Sequence, residues 1–140
     1  MGTTVSNSVF EQVDKKELLR PIIFCNPNEY LIESAVPVNV ALAKTLITIK
    51  EDRRSFRMEL CLKQLLDTMP ANPVIKEFDV LFNPSYEIDV IKTLISVYKT
   101  KPFDVIWPGQ YEEGKLIYAE EGYRDYKVYE ISKYDITCVI

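Results

Sequence analysis

The 140-residue chain contains no histidine. That removes Ser-His-Asp triads, Cys-His dyads and His-ligated zinc from the chemistry it could perform. Four groupings of residues remain worth testing. The first is the stretch from Pro21 to Tyr30, where Ile22-Ile23-Phe24-Cys25 breaks into Asn26-Pro27-Asn28-Glu29. A short apolar run bounded by turn formers reads as a buried strand. In an α/β sheet the turn at the carboxyl end of such a strand is the usual place for a ligand. A phosphate there needs glycines whose amides wrap it, a lysine for charge and a Ser or Thr for magnesium. This turn has no glycine and no lysine, and Glu29 sets negative charge where phosphate would lie. A closed structural turn is the expected outcome.

The second grouping is Glu77 and Asp79, two apart and able to share one face of a strand. Metal or acid-base chemistry is conceivable for such a pair, but a surface strand end with Lys76 as counter-charge is the stronger expectation. The third is Cys25, Cys61 and Cys138, each inside an apolar run and none at metal-knuckle spacing. They read as three reduced thiols in a cytoplasmic protein. The fourth is the tyrosine-rich stretch with Trp107, Tyr111, Tyr118, Tyr123, Arg124, Tyr126, Tyr129 and Tyr134. Tyrosines fill cores, and they also supply rigid contact area at protein interfaces. Core filling ranks first. As an interface, the candidates are Trp107, Tyr111, Tyr118, Tyr123, Arg124 and Tyr126. Base stacking ranks last, because acids outnumber cations in this stretch and the whole chain carries a formal charge of -4.

The elements that would position these groups follow from periodicity. Composition is ordinary for one globular domain, with 47% hydrophobic and 27% charged residues. Residues 1–9 are polar and expected to be a disordered tail. Met1-Gly2 with Ser6 fits a loose myristoylation pattern, without further support for a membrane. A short helix is expected over Phe10–Arg20, ended by Pro21, and a helical turn over Tyr30–Ser34. Val36–Asn39 reads as a second strand, and Asn39 as the cap of a helix over Val40–Thr48. The charged connector Lys50–Ser55 leads to a helix over Phe56–Met69, with Ser55 as its cap. A strand is expected from Pro73 toward Phe82, and an amphipathic helix over Ser85–Lys99. Phe103–Trp107 is the next strand. Leu116–Ala119 and Tyr126–Ile131 read as a hairpin or meander, and Ile136–Ile140 as a last apolar segment. Strand-helix alternation through Trp107 implies an α/β fold with a mainly parallel sheet of about five strands.

Leu116-Ile117-Tyr118-Ala119-Glu120, Gly122-Tyr123-Arg124-Asp125-Tyr126 and the upstream run from Trp107 to Lys115 resemble the C-terminal signature of the BrxF family. Val80-Leu81-Phe82-Asn83-Pro84 and Val38-Asn39-Val40 are similar to further segments of it. This family is the small P-loop protein of type III BREX phage-exclusion systems. The resemblance covers most of the chain and implies a three-layer P-loop NTPase-like sandwich with a C-terminal hairpin. It also implies a role in phage defence, with other proteins of the defence complex as partners. Family members look like working ATPases, and this chain departs from them. The loop glycine aligns with Asn26, the nucleotide-binding lysine with Ile32 and the hydroxyl with Glu33. The metal-binding Asp-Asn pair aligns with Lys76-Glu77, and the γ-phosphate sensor falls near Thr100. A lysine at the magnesium position would repel the metal. The expectation is a pseudo-ATPase: no enzyme, no cofactor and no metal. Asn26, Pro27, Asn28 and Glu29 form a vestigial nucleotide loop, and Lys76 and Glu77 a vestigial metal strand. A homo-oligomer is admitted. A divergent nucleotide- or anion-binding regulator is the alternative, and a DNA-contacting accessory the second one.

Overall fold

In the computed structural model, which describes all residues from Met1 to Ile140, the chain is α/β with two sheets. The larger sheet uses β1 (Thr3–Val5), β2 (Ile22–Phe24), β3 (Val36–Pro37), β4 (Val74–Lys76), β5 (Asp104–Ile106) and β9 (Thr137–Val139). Its strands run in the order β1-β9-β2-β5-β4-β3, and every pair is parallel. Strands of a parallel sheet are covered on both faces, so they are apolar throughout rather than alternating. Ile22, Ile23, Ile75, Val105, Cys138 and Val139 are all buried. The smaller sheet is antiparallel and joins β6 (Gln110–Glu112), β7 (Lys115–Tyr118) and β8 (Lys127–Glu130) as a meander between β5 and β9.

Five α-helices connect the strands: α1 (Asn7–Gln12), α2 (Glu29–Ser34), α3 (Asn39–Leu46), α4 (Arg54–Asp67) and α5 (Val90–Tyr98). In succession α3 packs on α4 and α4 on α5. Their apolar stripes enter one core: Leu42 and Leu46 from α3, Met58, Leu62 and Leu66 from α4, Ile91 and Leu94 from α5. The α5 stripe follows its sequence period, but Val40 and Ile47, expected on the apolar stripe of α3, and Phe56 and Leu60, expected on the buried face of α4, are exposed.

Several boundaries differ from expectation, each for a local reason. Residues 1–9 are not a loose tail. Thr3-Thr4-Val5 is β-branched and pairs with β9 as a sixth strand. Gly2 permits this, because a Cβ there would sit 2.0 Å from the Ile131 carbonyl oxygen. The Met1 ammonium adds a 2.6 Å contact to Asp135. The helix expected over Phe10–Arg20 forms earlier, under the Ser6 cap, and a 3-10 turn over Lys15–Glu17 follows. The long helix expected from Ser85 starts only at Val90. Glu87 has φ 50°, which breaks helical geometry, and Asp89 then caps α5 by accepting from the Lys92 amide. The 3-10 turn Glu51–Arg53 runs straight into α4, so Ser55 is not its cap. Asn39 is the first residue of α3, behind Val38, and its side chain is spent elsewhere.

The central strand is pinned at its start. Asp104 opens β5 and accepts from Arg20 Nε at 3.2 Å, Arg20 Nη2 at 2.6 Å and the Ile22 amide at 2.8 Å. Arg20 also lies over the Tyr98 ring, 5.6 Å from its centroid. Burial raises the Asp104 pKa, while the Ile22 amide and then Arg20 pull it back. The two-pronged geometry suits the ionised carboxylate. Removing it strands a largely buried guanidinium and a strand amide. Asp104→Ala is therefore expected to cost about 2–4 kcal/mol in urea unfolding, with an unchanged slope. A loss below about 0.5 kcal/mol, the size of an ordinary surface substitution, would remove the clasp from the account.

Candidate functional site

The strand order places a switch point at β2. Its crossover through α2 skips β5 and β4 to reach β3, while the chain later returns to the other side of β2 as β9. A ligand of an open α/β sheet binds outside the carboxyl ends of the strands at such a point. A depression of about 370 Å³ lies there, lined by Cys25, Asn26, Gly109, Gln110, Tyr111 and Ile140. None of these side chains is cationic, so the depression offers an anion no counter-charge. Gly109 is required by close approach: a Cβ would meet the Ile117 carbonyl oxygen at 2.0 Å and Trp107 Nε1 at 2.9 Å. No three His, Cys, Asp or Glu side chains gather in a way that could hold a metal ion. All three cysteines are free thiols. Burial pushes the Cys61 thiol up, and the neighbouring Cys25 thiol together with burial does the same for Cys138. Raised thiols are poor nucleophiles.

The turn after β2 is closed by its own side chains. Asn28 caps α2, its side-chain oxygen accepting from the Leu31 amide at 2.8 Å. The Asn26 carbonyl accepts from Asn7 Nδ2 at 3.3 Å, so α1 is laid against the turn. Phe10 of α1 meets Phe24 of β2 edge-on, with centroids 5.5 Å apart. Glu29 stands exposed in the first turn of α2, and Pro27 lines a second depression with Asn7, Phe10 and Tyr30. The amides a phosphate would use are thus partly taken by Asn28, and the space beside them is covered by α1.

Lys76 ends β4, and its Nζ donates to the carbonyl oxygen of Ile32 at 2.7 Å. Ile32 belongs to the last turn of α2, whose carbonyls have no partner inside the helix. An ammonium at a helix C-terminus also suits the helix dipole. Glu77 Oε2 lies 4.0 Å from the same nitrogen. Glu77 itself is in the left-handed region, φ 52°, so the strand stops there and Glu77 and Asp79 do not share a strand face. Glu77 points to solvent. Asp79 turns inward within the 3-10 turn Asp79–Phe82.

Asp79 is the hub that the sequence did not reveal. Asn39 Nδ2 donates to one carboxylate oxygen at 3.0 Å, and the Tyr118 hydroxyl to the other at 2.9 Å. Asn39 Oδ1 in turn accepts from the Val80 amide at 2.9 Å. Three elements, α3, the Asp79 turn and β7, are tied by side chains about forty residues apart in sequence. Tyr118 also stacks on Phe82 at 3.7 Å, and Phe82 meets Trp107 edge-on at 5.6 Å. Trp107 meets Tyr129, and Tyr129 meets Tyr134. Trp107 Nε1 donates to the Ile117 carbonyl at 3.0 Å.

Of the six interface candidates, Trp107 and Tyr118 are therefore buried and fasten the small sheet to the large one. They are unavailable as an exposed surface, because each aromatic pair gains from contact that water would replace. Tyr111 and Tyr126 are half-buried, and Tyr111 accepts from the Gly114 amide through its hydroxyl. Tyr123 and Arg124 stay exposed, in the turn between β7 and β8. No helix is long and apolar enough to cross a membrane. No family model matches the chain, and no curated protein and no solved structure is significantly similar to it.

Three tyrosines of this cluster are held neutral. Burial pushes Tyr129 up to about 12, with Asp89 adding to the rise against the Val90 amide. Burial first, and then the bond to Asp79, raise Tyr118; burial and the bond to Asp89 raise Tyr134. A folded state that prefers the neutral phenol keeps its full stability below the ordinary phenol pKa of about 10 and loses it as pH climbs through the raised values. Phenolate absorbance is expected to show these three titrating late, accompanied by unfolding. All nine tyrosines ionising together in a still-folded chain would contradict the assignment. Tyr118→Phe is expected to cost about 1–2 kcal/mol by leaving one of the two Asp79 oxygens without its donor.

Proposed function

We propose that the chain is a P-loop-like domain that has given up nucleotide turnover and works through protein contacts. The particular role proposed is that of a non-catalytic accessory or assembly subunit of a bacterial antiphage system of the BREX kind, in the cytoplasm. The observation that carries the reading is the 2.7 Å contact from Lys76 Nζ to the Ile32 carbonyl. By the BrxF resemblance these two positions correspond to the metal-binding carboxylate and the nucleotide-binding lysine. Their adjacency supports the register of that resemblance. Their chemistry supports loss of function, since a cation has replaced the group that would hold a cation, and it bonds a helix end instead of a ligand.

Three further features support the reading. In the parallel sheet β2 lies in the interior between β5 and β9, which suits a P-loop-like sandwich. The helix after the loop has six residues, too short to present a strong dipole to a triphosphate. The loop is already satisfied by Asn28 and covered by α1.

Isothermal titration with Mg-ATP tests the proposal. The expected result is no binding heat and no phosphate release. A panel of nucleotides and inorganic anions is likewise expected to leave the melting temperature unchanged, because only a ligand that prefers the native state raises it. Micromolar binding of Mg-ATP with hydrolysis would overturn the proposal. A stabilising anion without hydrolysis would favour a divergent regulator, and a salt-sensitive gel shift would favour the DNA-contacting reading.

A further inference from the structure

Helix α4 carries its core residues Met58, Cys61, Leu62 and Leu66 on one side. On the opposite side Arg53, Phe56, Arg57, Leu60 and Lys63 recur at i, i+3, i+4, i+7 and i+10, which makes one stripe. All five are exposed, and Phe56 is 87% exposed, the highest value for any large apolar side chain of the chain. None of the three cations forms an ion pair. Asp67, at the end of the stripe, is paired with Lys101, and Glu59 beside it bonds Ser96. An exposed Phe56 and Leu60 framed by unpaired cations make an apolar stripe with a charged border, which suits a contact surface.

The small sheet presents the complement. Its inner face, with Leu116, Tyr118 and Tyr129, is buried. Its outer face pairs Ile117 with Val128 across strands. A depression of about 210 Å³ lies there, lined by Glu112, Glu113, Lys115, Ile117, Tyr126 and Val128. Ile117, Tyr126 and Val128 supply its apolar lining, and Glu112, Glu113 and Lys115 the charged part, with acids in excess. Between Gln110 and Tyr126 the acids Glu112, Glu113, Glu120, Glu121 and Asp125 outnumber Lys115 and Arg124.

We infer that these two surfaces bind each other between copies of this chain: Phe56 of one copy enters the outer face of the small sheet of the next, with Arg53 and Arg57 set against Glu112 and Glu113. The two patches differ, so each contact leaves one patch of each kind free. Such a contact propagates head-to-tail into a ring or an open chain of copies. The matched charges set its orientation and its salt dependence. The inference stands on these surfaces alone and does not depend on the nucleotide reading.

Sedimentation velocity on the full chain tests it. The weight-average mass is expected to climb with concentration between about 10 and 500 μM, the range of small transient interfaces. It is expected to fall back on going from about 0.1 M to 1 M salt, where the screening length drops from about 10 to about 3 Å. Phe56→Asp and Val128→Asp, both at exposed positions, are each expected to weaken association at least about tenfold while leaving circular dichroism unchanged. Each variant keeps one intact surface, so mixing the two restores one heterodimer and nothing larger. A wild-type chain that stays monomeric over this range overturns the inference. So does a mixture that fails to associate, or a Phe56→Asp variant that assembles like the wild type.

Discussion

Lys76 extends its ammonium 2.7 Å to the carbonyl of Ile32, and the carboxyl edge of the sheet is arranged around that contact. It links β4 to the end of α2, the crossover that carries the chain from the interior strand β2 to the edge strand β3. A short helix with unpartnered terminal carbonyls needs such a donor. The same cation sets positive charge at the carboxyl end of β4. One hydrogen bond thus joins the stability of the crossover to the chemistry of the crevice.

Two other devices share the load. At the amino edge, Asp104 clasps Arg20 and the Ile22 amide, so β2 enters the sheet in register with β5. At the carboxyl edge, Asp79 gathers Asn39 and Tyr118 and fixes the small sheet against α3. Both are buried or half-buried carboxylates with several donors, the condition under which such groups hold structure rather than weaken it. The aromatic series from Phe82 through Trp107 to Tyr134 fills the space between the sheets.

What was legible in the sequence was local. The β-branched runs at Ile22, Val74 and Phe103 gave strands, and apolar spacing gave the existence of α3, α4 and α5 but not the buried faces of α3 and α4, because a period and a terminator suffice for an element and not for its orientation. That the turn Asn26-Pro27-Asn28-Glu29 has no glycine and no lysine to offer a phosphate was also readable from residue types. What was hidden depends on distant partners. Nothing near Asn39 says that its amide bonds Asp79, forty residues on, instead of capping its own helix. Nothing near Lys76 says that its partner is a backbone carbonyl of α2. Thr3-Thr4-Val5 looks like a tail until β9 supplies the other half of its ladder. For the aromatic stretch core filling ranked ahead of an interface without saying which rings go inside, and the burial of Trp107 and Tyr118 follows from the fold of the small sheet over the large one.

The central claim is that the ammonium of Lys76 is a structural group bound to Ile32 and indifferent to nucleotide. Side-chain nitrogen-15 NMR of the lysines tests it directly. The account predicts one Lys ammonium whose protons exchange slowly with water, which disappears in Lys76→Met and does not shift when Mg-ATP is added. A Lys76 signal that exchanges as fast as the surface lysines, or that moves on addition of Mg-ATP, would contradict it.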